Sequence, residues 1–546
     1  MNQRSVRKLH PLKVCAAGAV LLTGGALCAQ PPARGGSACE DLGTIHLDGV
    51  EIASATSSPA GAPAVPAPAG ETAPASFQMP AACVVRGTAD RRTGVAGKAY
   101  GIGFELRMPA GWNGRFLFQG GGGTDGVVRP ALGMTGFSSP PALAQGFAVV
   151  STDAGHQGGM DMSFGQDQQA RIDYAYRAVD RVTGIAKQII ARFYGKPPEK
   201  SYFVGCSNGG RQGMIAAQRF PADFDGIVAG DPGFRLSYAA LGELWDTMAF
   251  QQIAPNDAEG RPILAQALST EDLDLVGKAV LAACDEKDGL KDGLVDNPAA
   301  CDFDPAVLEC RGGQSAECLS SAKVHALQKV FGGAVNSRKE RVYSSWPWDP
   351  GVASPAWRQW KLGSSKTSAA NALNVLLGFA AVKGYFVTPY DPAFDPMKFD
   401  FDKDPPLVAE TAAANDAIAT QLSTFAGRGG KLLFYQGMAD PVFSANDIIA
   451  YYRKLAGDNG GMESARTWAR LFLVPGMCHC AGGPALDQFD ALTAIVAWVE
   501  RGQAPGSLIA KGASFPGRSR PLCPYPEQTR YRGVGSIDDP ANFACR

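Results

Sequence analysis

Tyr202-Phe203-Val204-Gly205-Cys206-Ser207-Asn208-Gly209-Gly210 reads as a short apolar strand, a tight turn and the start of a helix running through Gln218. Gly205-x-Ser207-x-Gly209 fits the G-x-S-x-G pattern in the strand–turn–helix setting of a nucleophile elbow. So sharp a turn needs glycines, because neighbouring side chains would collide across it. It lifts the serine hydroxyl above the sheet, and the helix start behind it favours negative charge developing in front. The competing reading is an ordinary glycine turn in which Ser207 only caps the helix.

A serine nucleophile needs a base. Beyond the first 29 residues the histidines are His46, His156, His325 and His479. His46 lies near the N-terminus, His325 in a helical stretch, and His156 in a loop after a strand, where a structural contact is expected. His479 follows an apolar strand at 470–474, within Pro475-Gly476-Met477-Cys478-His479-Cys480. That is where the base of an α/β-hydrolase belongs, and elimination favours it. The orienting acid should lie between Ser and His in the chain. Asp440, ending the strand at 431–435, is the candidate; Asp447 starts a helix and reads as a capping or surface residue. The oxyanion hole is expected from the backbone N–H of Asn208 and of the Gly120–Gly123 loop, at Gly121. That loop lacks the Lys-Ser/Thr ending of a P-loop. A Cys206–Cys480 bridge would staple the turn of the nucleophile to the loop of the base.

Outward from this centre the chain alternates strand-like and helix-like stretches: strands at 101–108, 115–119 and 146–152, then a helical period over 172–193. The pattern predicts a mostly parallel sheet covered by helices, an α/β-hydrolase fold. It stops near Gly233 and resumes at 431, with a final helix at 487–501. The expected organisation is a first hydrolase segment at 30–232, an inserted lid at 233–427 and a second hydrolase segment at 428–546. Residues 53–81, rich in Ala, Pro, Gly and Ser, read as a flexible loop whose ends a Cys39–Cys83 bridge would tie. Residues 1–29 read as a signal peptide, with Arg4, Arg7, Lys8 and Lys13 around an apolar run at 14–27. Leu27 is bulky where lipid attachment at Cys28 wants a small residue, so a lipoprotein is not expected. Export to the periplasm or beyond fits the cysteines, which read as disulfides with one left over. With 45% hydrophobic residues, 19% charged and a net charge of −1, the chain can bury a large core. It has no basic excess for nucleic acid, and no later segment is long and apolar enough to span a membrane. A monomer is favoured.

The Cys-Ser and His-Cys pairs around the centre resemble those of the tannase/feruloyl esterase family of serine esterases. The resemblance extends over most of the chain beyond the Pro-rich tract. It is carried by Lys200-Ser201-Tyr202-Phe203-Val204-Gly205-Cys206-Ser207, Arg219-Phe220-Pro221, Asp225-Gly226-Ile227-Val228-Ala229-Gly230, Leu471-Phe472-Leu473-Val474-Pro475-Gly476-Met477 and Ala497-Trp498-Val499-Glu500-Arg501-Gly502. It implies the bridges Cys39–Cys83, Cys206–Cys480, Cys284–Cys301, Cys310–Cys318 and Cys523–Cys545. Cys478 is then free, with a Cys206–Cys478 pairing as the alternative. In the lid, the acidic run from Asp285 to Asp296 is dense in hard oxygen ligands with intervening glycines, which suits Ca²⁺ rather than zinc, though without EF-hand spacing. The resemblance makes it a structural calcium loop, with Asp285, Asp288 and Asp292 and the carbonyls of Leu290 and Leu294 as ligands; a solvated acidic loop is the alternative.

By the same resemblance Trp360, Phe379 and Phe443 wall an aromatic acyl pocket. Asn374 falls where a relative clamps a substrate carboxylate with Arg, and it cannot supply a guanidinium fork. Lys383 could replace that clamp as a point charge. The implied activity is an exported serine carboxylesterase for esters of aromatic acids, forming an acyl-enzyme through Ser207, His479 and Asp440 and using no organic cofactor. Candidate substrates are mono(2-hydroxyethyl) terephthalate, split into terephthalate and ethylene glycol, or the feruloyl and galloyl esters of plant phenolics. The non-enzyme alternative is a catalytically silent hydrolase-fold binding protein.

Overall fold

A computed structural model describes residues 38–61, 77–134, 139–312 and 317–546. The expected signal peptide lies outside the described residues. Nine strands form the central sheet: β1 Val50–Ser58, β2 Ala82–Thr93, β3 Ala99–Pro109, β4 Arg115–Gln119, β5 Ala148–Thr152, β6 Lys200–Cys206, β7 Gly226–Gly230, β8 Lys431–Gly437 and β9 Ala469–Val474. Their order is β1-β2-β3-β5-β4-β6-β7-β8-β9. The β1/β2, β2/β3 and β3/β5 pairs are antiparallel and the remaining pairs are parallel. A parallel sheet covered on both faces must be apolar throughout, and β7 (Gly-Ile-Val-Ala-Gly) is buried at all five positions.

Helices cover both faces. The Ala178–Tyr194 helix buries Val179, Val182, Ile185, Ala186, Ile189 and Ile190, one stripe at helical spacing, and stops at Gly195 in the left-handed conformation (φ 73°). The helical period expected over 172–193 is interrupted at Asp173–Arg177 by a π-type turn. The Asn208–Arg219 helix packs on β6 and β7, and the Ala491–Arg501 helix, capped by Asp490, packs on β7 and β8.

One expectation needs correction. Residues 53–58 are not loop: they continue β1, paired with β2 from Val50↔Ala89 to Ser58↔Ala82, and Gly61 bridges Met79. Small Ser, Thr and Ala side chains suit a half-exposed edge strand, and composition alone concealed the pairing; residues 62–76 lie outside the described set. The insertion between β7 and β8, expected as a lid, shares its apolar core with the hydrolase segment. Its Leu241, Phe250, Tyr343 and Trp357 belong to the same apolar cluster as Phe203 and Met214 of the hydrolase segment. A buried Lys361–Asp246 ion pair, with the ammonium 3.9 Å from the Trp346 ring centre, lies inside it.

Five disulfides are formed: Cys39–Cys83, Cys206–Cys480, Cys284–Cys301, Cys310–Cys318 and Cys523–Cys545. Cys478 is free and buried, so the Cys206–Cys478 alternative is not realised. Among the described residues no helix is long and apolar enough to cross a membrane.

Candidate active site

The parallel strands set the site by register. Cys206 of β6 lies opposite Gly230 of β7, and Gly437 of β8 opposite Val474 of β9, so the loops bearing Ser207, Asp231, Asp440 and His479 all leave the carboxyl edge of one sheet. Ser207 has φ 64° and ψ −128°, a left-handed conformation rare for a residue with a side chain. Such a backbone costs about 1–3 kcal/mol and persists only where its surroundings hold it. Here Ser207 N–H donates to the Gly230 carbonyl at 2.9 Å. A Cβ on Gly205 would lie 2.6 Å from the Gly209 carbonyl carbon, and one on Gly209 would lie 2.6 Å from the Gly121 oxygen. Both glycines are required by close backbone approach.

His479 Nδ1 lies 2.9 Å from Asp440 Oδ2. Asp440 is itself fixed: its Oδ1 accepts from Val442 N–H (2.8 Å) and Phe443 N–H (3.0 Å), and its Oδ2 from Gln436 Nε2 (3.1 Å). The Cys206–Cys480 bridge, Cα–Cα 6.0 Å, joins the residue before Ser207 to the residue after His479. The other histidines stand elsewhere: His325 is exposed, and His156 is buried, stacked on Phe164 at 3.9 Å and held down to about 4 by burial. Asp447 is neither cap nor surface; it is buried in an ion pair with Arg235 at 2.8 Å.

Sequence reasoning missed Asp231. This fully buried residue accepts from Gly437 N–H (2.7 Å) through Oδ1 and from Cys480 N–H (3.2 Å) through Oδ2, tying the Asp440 strand end to the His479 loop. Burial, and then the neighbouring Asp440, push its carboxyl well above the usual range. Its signal was a carboxylate in Gly230-Asp231-Pro232, directly after a wholly apolar strand. Asp231 with the sulfurs of Cys206 and Cys480 is no metal site, because both sulfurs are spent in the disulfide. Cys478 Sγ lies 2.9 Å from Ser354 Oγ, which caps the Pro355–Lys361 helix at Trp357 N–H. Burial pushes its thiol up to about 12, which makes it an inert packing group.

The oxyanion side differs from expectation in one donor. Asn208 opens the helix behind Ser207, with its N–H in the unsatisfied first turn. Gly121 N–H, however, is spent on Gln212 Oε1 at 2.9 Å. Gln212 and Asn208 are in turn held by Asp125, at 2.6 and 3.0 Å. This leaves Gly122 and Gly123 as the loop amides that donate to no acceptor among the described residues.

Two compartments meet at Trp360. A narrow apolar slot contains Ser207, Trp360, Val442 and Phe443, while an open trough of about 990 Å³ contains His479, Trp360, Gln359 and Lys278. Trp360 and Phe443 flank the imidazole edge-on, each with ring centres 5.3 Å away. The other expected pocket residues do not reach the slot. Phe379 packs against the core, and Leu377, Gly378 and Ala381 of the same segment line the slot in its place. The π-type turn Asn374–Phe379 sets that phase, which a plain helical spacing would not give. Asn374 is wholly buried away from the slot lining, and Lys383 is exposed.

The acidic loop is folded back on itself. Asp285 accepts from Asp292 N–H and Gly293 N–H, Asp288 from Leu290 N–H and Asp296 N–H, and Asp292 from Leu294 N–H and Arg520 Nη2. Burial pushes Asp288 up to about 6 and Asp296 up to about 7, and neighbouring carboxylates add to both shifts. The carbonyls of Leu290 and Leu294 accept from no described residue. The acids and idle carbonyls are the donor types a hard cation takes, but among the described residues no three carboxylates of this loop converge on one point. Asp292, engaged by Arg520, fits less well than Asp285 and Asp288.

Comparison with known proteins agrees with this architecture. The chain matches the family model "Tannase and feruloyl esterase" over residues 83–546. It is 44% identical over 517 residues to mono(2-hydroxyethyl) terephthalate hydrolase of Piscinibacter sakaiensis, covering 86% of this chain and 85% of that one. It is 32% identical over 436 residues to a probable feruloyl esterase B-2 of Aspergillus flavus, covering 74% and 76%. The crystal structure of feruloyl esterase B from Aspergillus oryzae superposes with a TM-score of 0.77 at 28% identity, covering 93% and 99%. With this fold, this elbow and these matches, the chain belongs to the tannase and feruloyl esterase family, an α/β-hydrolase family of carboxylic ester hydrolases.

Proposed function

We propose that this enzyme hydrolyses esters of aromatic carboxylic acids through an acyl-enzyme on Ser207. The observation that carries the reading is the 2.9 Å His479–Asp440 contact on a loop covalently bridged to the elbow of Ser207. Ser207 Oγ attacks the ester carbonyl carbon while His479 Nε2 takes its proton. The carbonyl oxygen becomes an oxyanion facing Asn208 N–H and an amide of the Gly122–Gly123 turn. Asp440 holds the proton on Nδ1 and stabilises the imidazolium. The C–O bond to the alcohol then breaks, and His479 returns its proton to the departing oxygen. Water, giving a proton to His479, attacks the acyl carbon; the bond from that carbon to Ser207 Oγ then breaks, His479 returns the proton to Oγ, and the acid leaves. The slot between Trp360 and Phe443 takes the flat acyl group, and the trough beside His479 leaves the alcohol wide room.

Both mono(2-hydroxyethyl) terephthalate and plant phenolic esters fall within this class. A panel of that monoester, methyl ferulate, methyl gallate and an aliphatic methyl ester of similar size should show turnover confined to the aromatic acids. Equal turnover of the aliphatic ester would remove the aromatic reading. Five disulfides suit an oxidising compartment, in line with export by the N-terminal leader.

We also propose that the acidic loop holds a structural Ca²⁺ through Asp285 and Asp288 and the carbonyls of Leu290 and Leu294, with Asp292 contributing. The ion would neutralise the crowded carboxylates and tie the insertion to the C-terminal segment carrying Arg518 and Arg520. A chelator should lower Tm by several degrees, and added Ca²⁺ should restore it. Purified enzyme without calcium by elemental analysis, and with an unchanged Tm on adding it, would show the loop to be self-sufficient.

A further inference from the structure

The acyl slot is mostly apolar; its polar lining is Thr124, Ser207, Asn208, the phenols Tyr174 and Tyr385, and a single carboxyl. Glu243 lines it from the Leu236–Gln251 helix, is 4% exposed, and its Oε2, tucked against Gly378, has no hydrogen-bond partner. A buried polar atom without a partner costs about 1–3 kcal/mol, so a carboxyl kept in that state within a substrate cavity calls for a ligand. The wall is shaped around it: a Cβ on Gly378, also in the lining, would lie 1.9 Å from Glu243 Oε2. None of the described residues lining the slot is Lys, Arg or His. The charges acting on Glu243 are Lys361, Asp246 and Asp440, and Lys361 is already committed to Asp246.

We propose that Glu243 is a specificity-determining residue: its carboxyl, turned from Gly378 towards the bound acyl group, accepts a hydrogen bond from a hydroxyl on the ring and disfavours an acyl group bearing a free carboxylate. A phenolic hydroxyl is neutral, planar with its ring and a good donor, so it satisfies the orphan oxygen without bringing in charge. A carboxylate would add a negative charge to a wall that already holds the Glu243 carboxyl and no cation. Burial pushes the Glu243 carboxyl up to about 8, so it can carry a proton. Even so, offering that proton to an incoming carboxylate leaves a buried anion paired only with an acid. The preferred substrates are therefore esters of hydroxylated aromatic acids rather than half-esters of aromatic diacids.

This inference rests on the aromatic-esterase reading, and its test separates the two. kcat/KM is measured for methyl 4-hydroxycinnamate, methyl cinnamate and mono(2-hydroxyethyl) terephthalate on wild type, Glu243→Gln and Glu243→Leu. Wild type should prefer the hydroxylated cinnamate over the bare one by about ten- to a hundredfold, the range of one hydrogen bond to a buried acid. Glu243→Leu should bring that ratio towards one, the ratio being taken within each variant so that any general loss of turnover cancels. The near-isosteric Glu243→Gln, which guards against loss of fold in the Leu variant, should raise the terephthalate monoester relative to methyl cinnamate. A hydroxyl preference unchanged in both variants, or a wild-type preference for the terephthalate monoester that Glu243→Gln leaves intact, overturns the role of Glu243. Failure of wild type to hydrolyse any of the three esters would instead count against the esterase reading.

Discussion

Ser207→Ala and His479→Ala are each expected to abolish turnover, lowering kcat by about four to six orders of magnitude, with Tm close to wild type. The size follows from the behaviour of triads, in which losing the nucleophile or the base alone costs nearly as much as losing all members. Retention of the fold follows from this structure. The strained backbone of Ser207 is held by its N–H to the Gly230 carbonyl, by the glycine contacts around it and by the Cys206–Cys480 bridge, none of which uses the hydroxyl. His479 meets Trp360 and Phe443 edge-on without wedging them apart, so its loss opens space rather than forcing rearrangement. Single-turnover kinetics and thermal melts on both variants check this. Near-wild-type turnover in either would remove that residue from the mechanism.

Asp440→Asn carries the second largest expectation, a loss of about 1,000- to 10,000-fold in kcat with little change in KM. The hydrogen bonds dictate which way the new amide turns. Oδ1 accepts from two backbone amides, Val442 and Phe443, so the asparagine oxygen must stay there. Its NH2 then replaces Oδ2 and faces His479 Nδ1, donating where it should accept. The imidazole is driven to the tautomer protonated on Nε2, which has no lone pair for the serine proton. The same NH2 also confronts the Gln436 amide, which had donated to Oδ2. A milder loss, below about tenfold, would mean that Asp231 or another group orients His479 instead.

Legibility in the sequence followed locality. The elbow, the strands at 115–119 and 470–474, and the His479 loop were readable because short-range pattern dictates them: glycines at a turn, apolar runs buried on both faces, one histidine after a late strand. Asp440 was readable from chain order and strand position. β1 was not, because its Ser, Thr and Ala residues read as linker and only the β2 pairing makes them a strand. The slot was partly misread for a related reason. A π-type turn from Asn374 to Phe379 shifts the phase of that segment, so Gly378 and Leu377 face the substrate side and Phe379 does not. Glu243 was invisible, because an acid among Leu241, Gly242 and Leu244 carries no local sign that its carboxyl ends in a cavity. Asp231 and Gln212 act through partners about 250 and 90 residues away, beyond any local pattern.

The claim that Ser207 forms the covalent acyl intermediate is tested most directly by a fluorophosphonate, which phosphonylates an activated serine with loss of fluoride. Intact-mass analysis after labelling should show one adduct per chain, and peptide sequencing should place it on Ser207. Pre-incubation with a slowly turned-over aromatic ester should prevent labelling, and His479→Ala should label far more slowly. An unlabelled protein, or an adduct on any serine other than Ser207, would contradict the account.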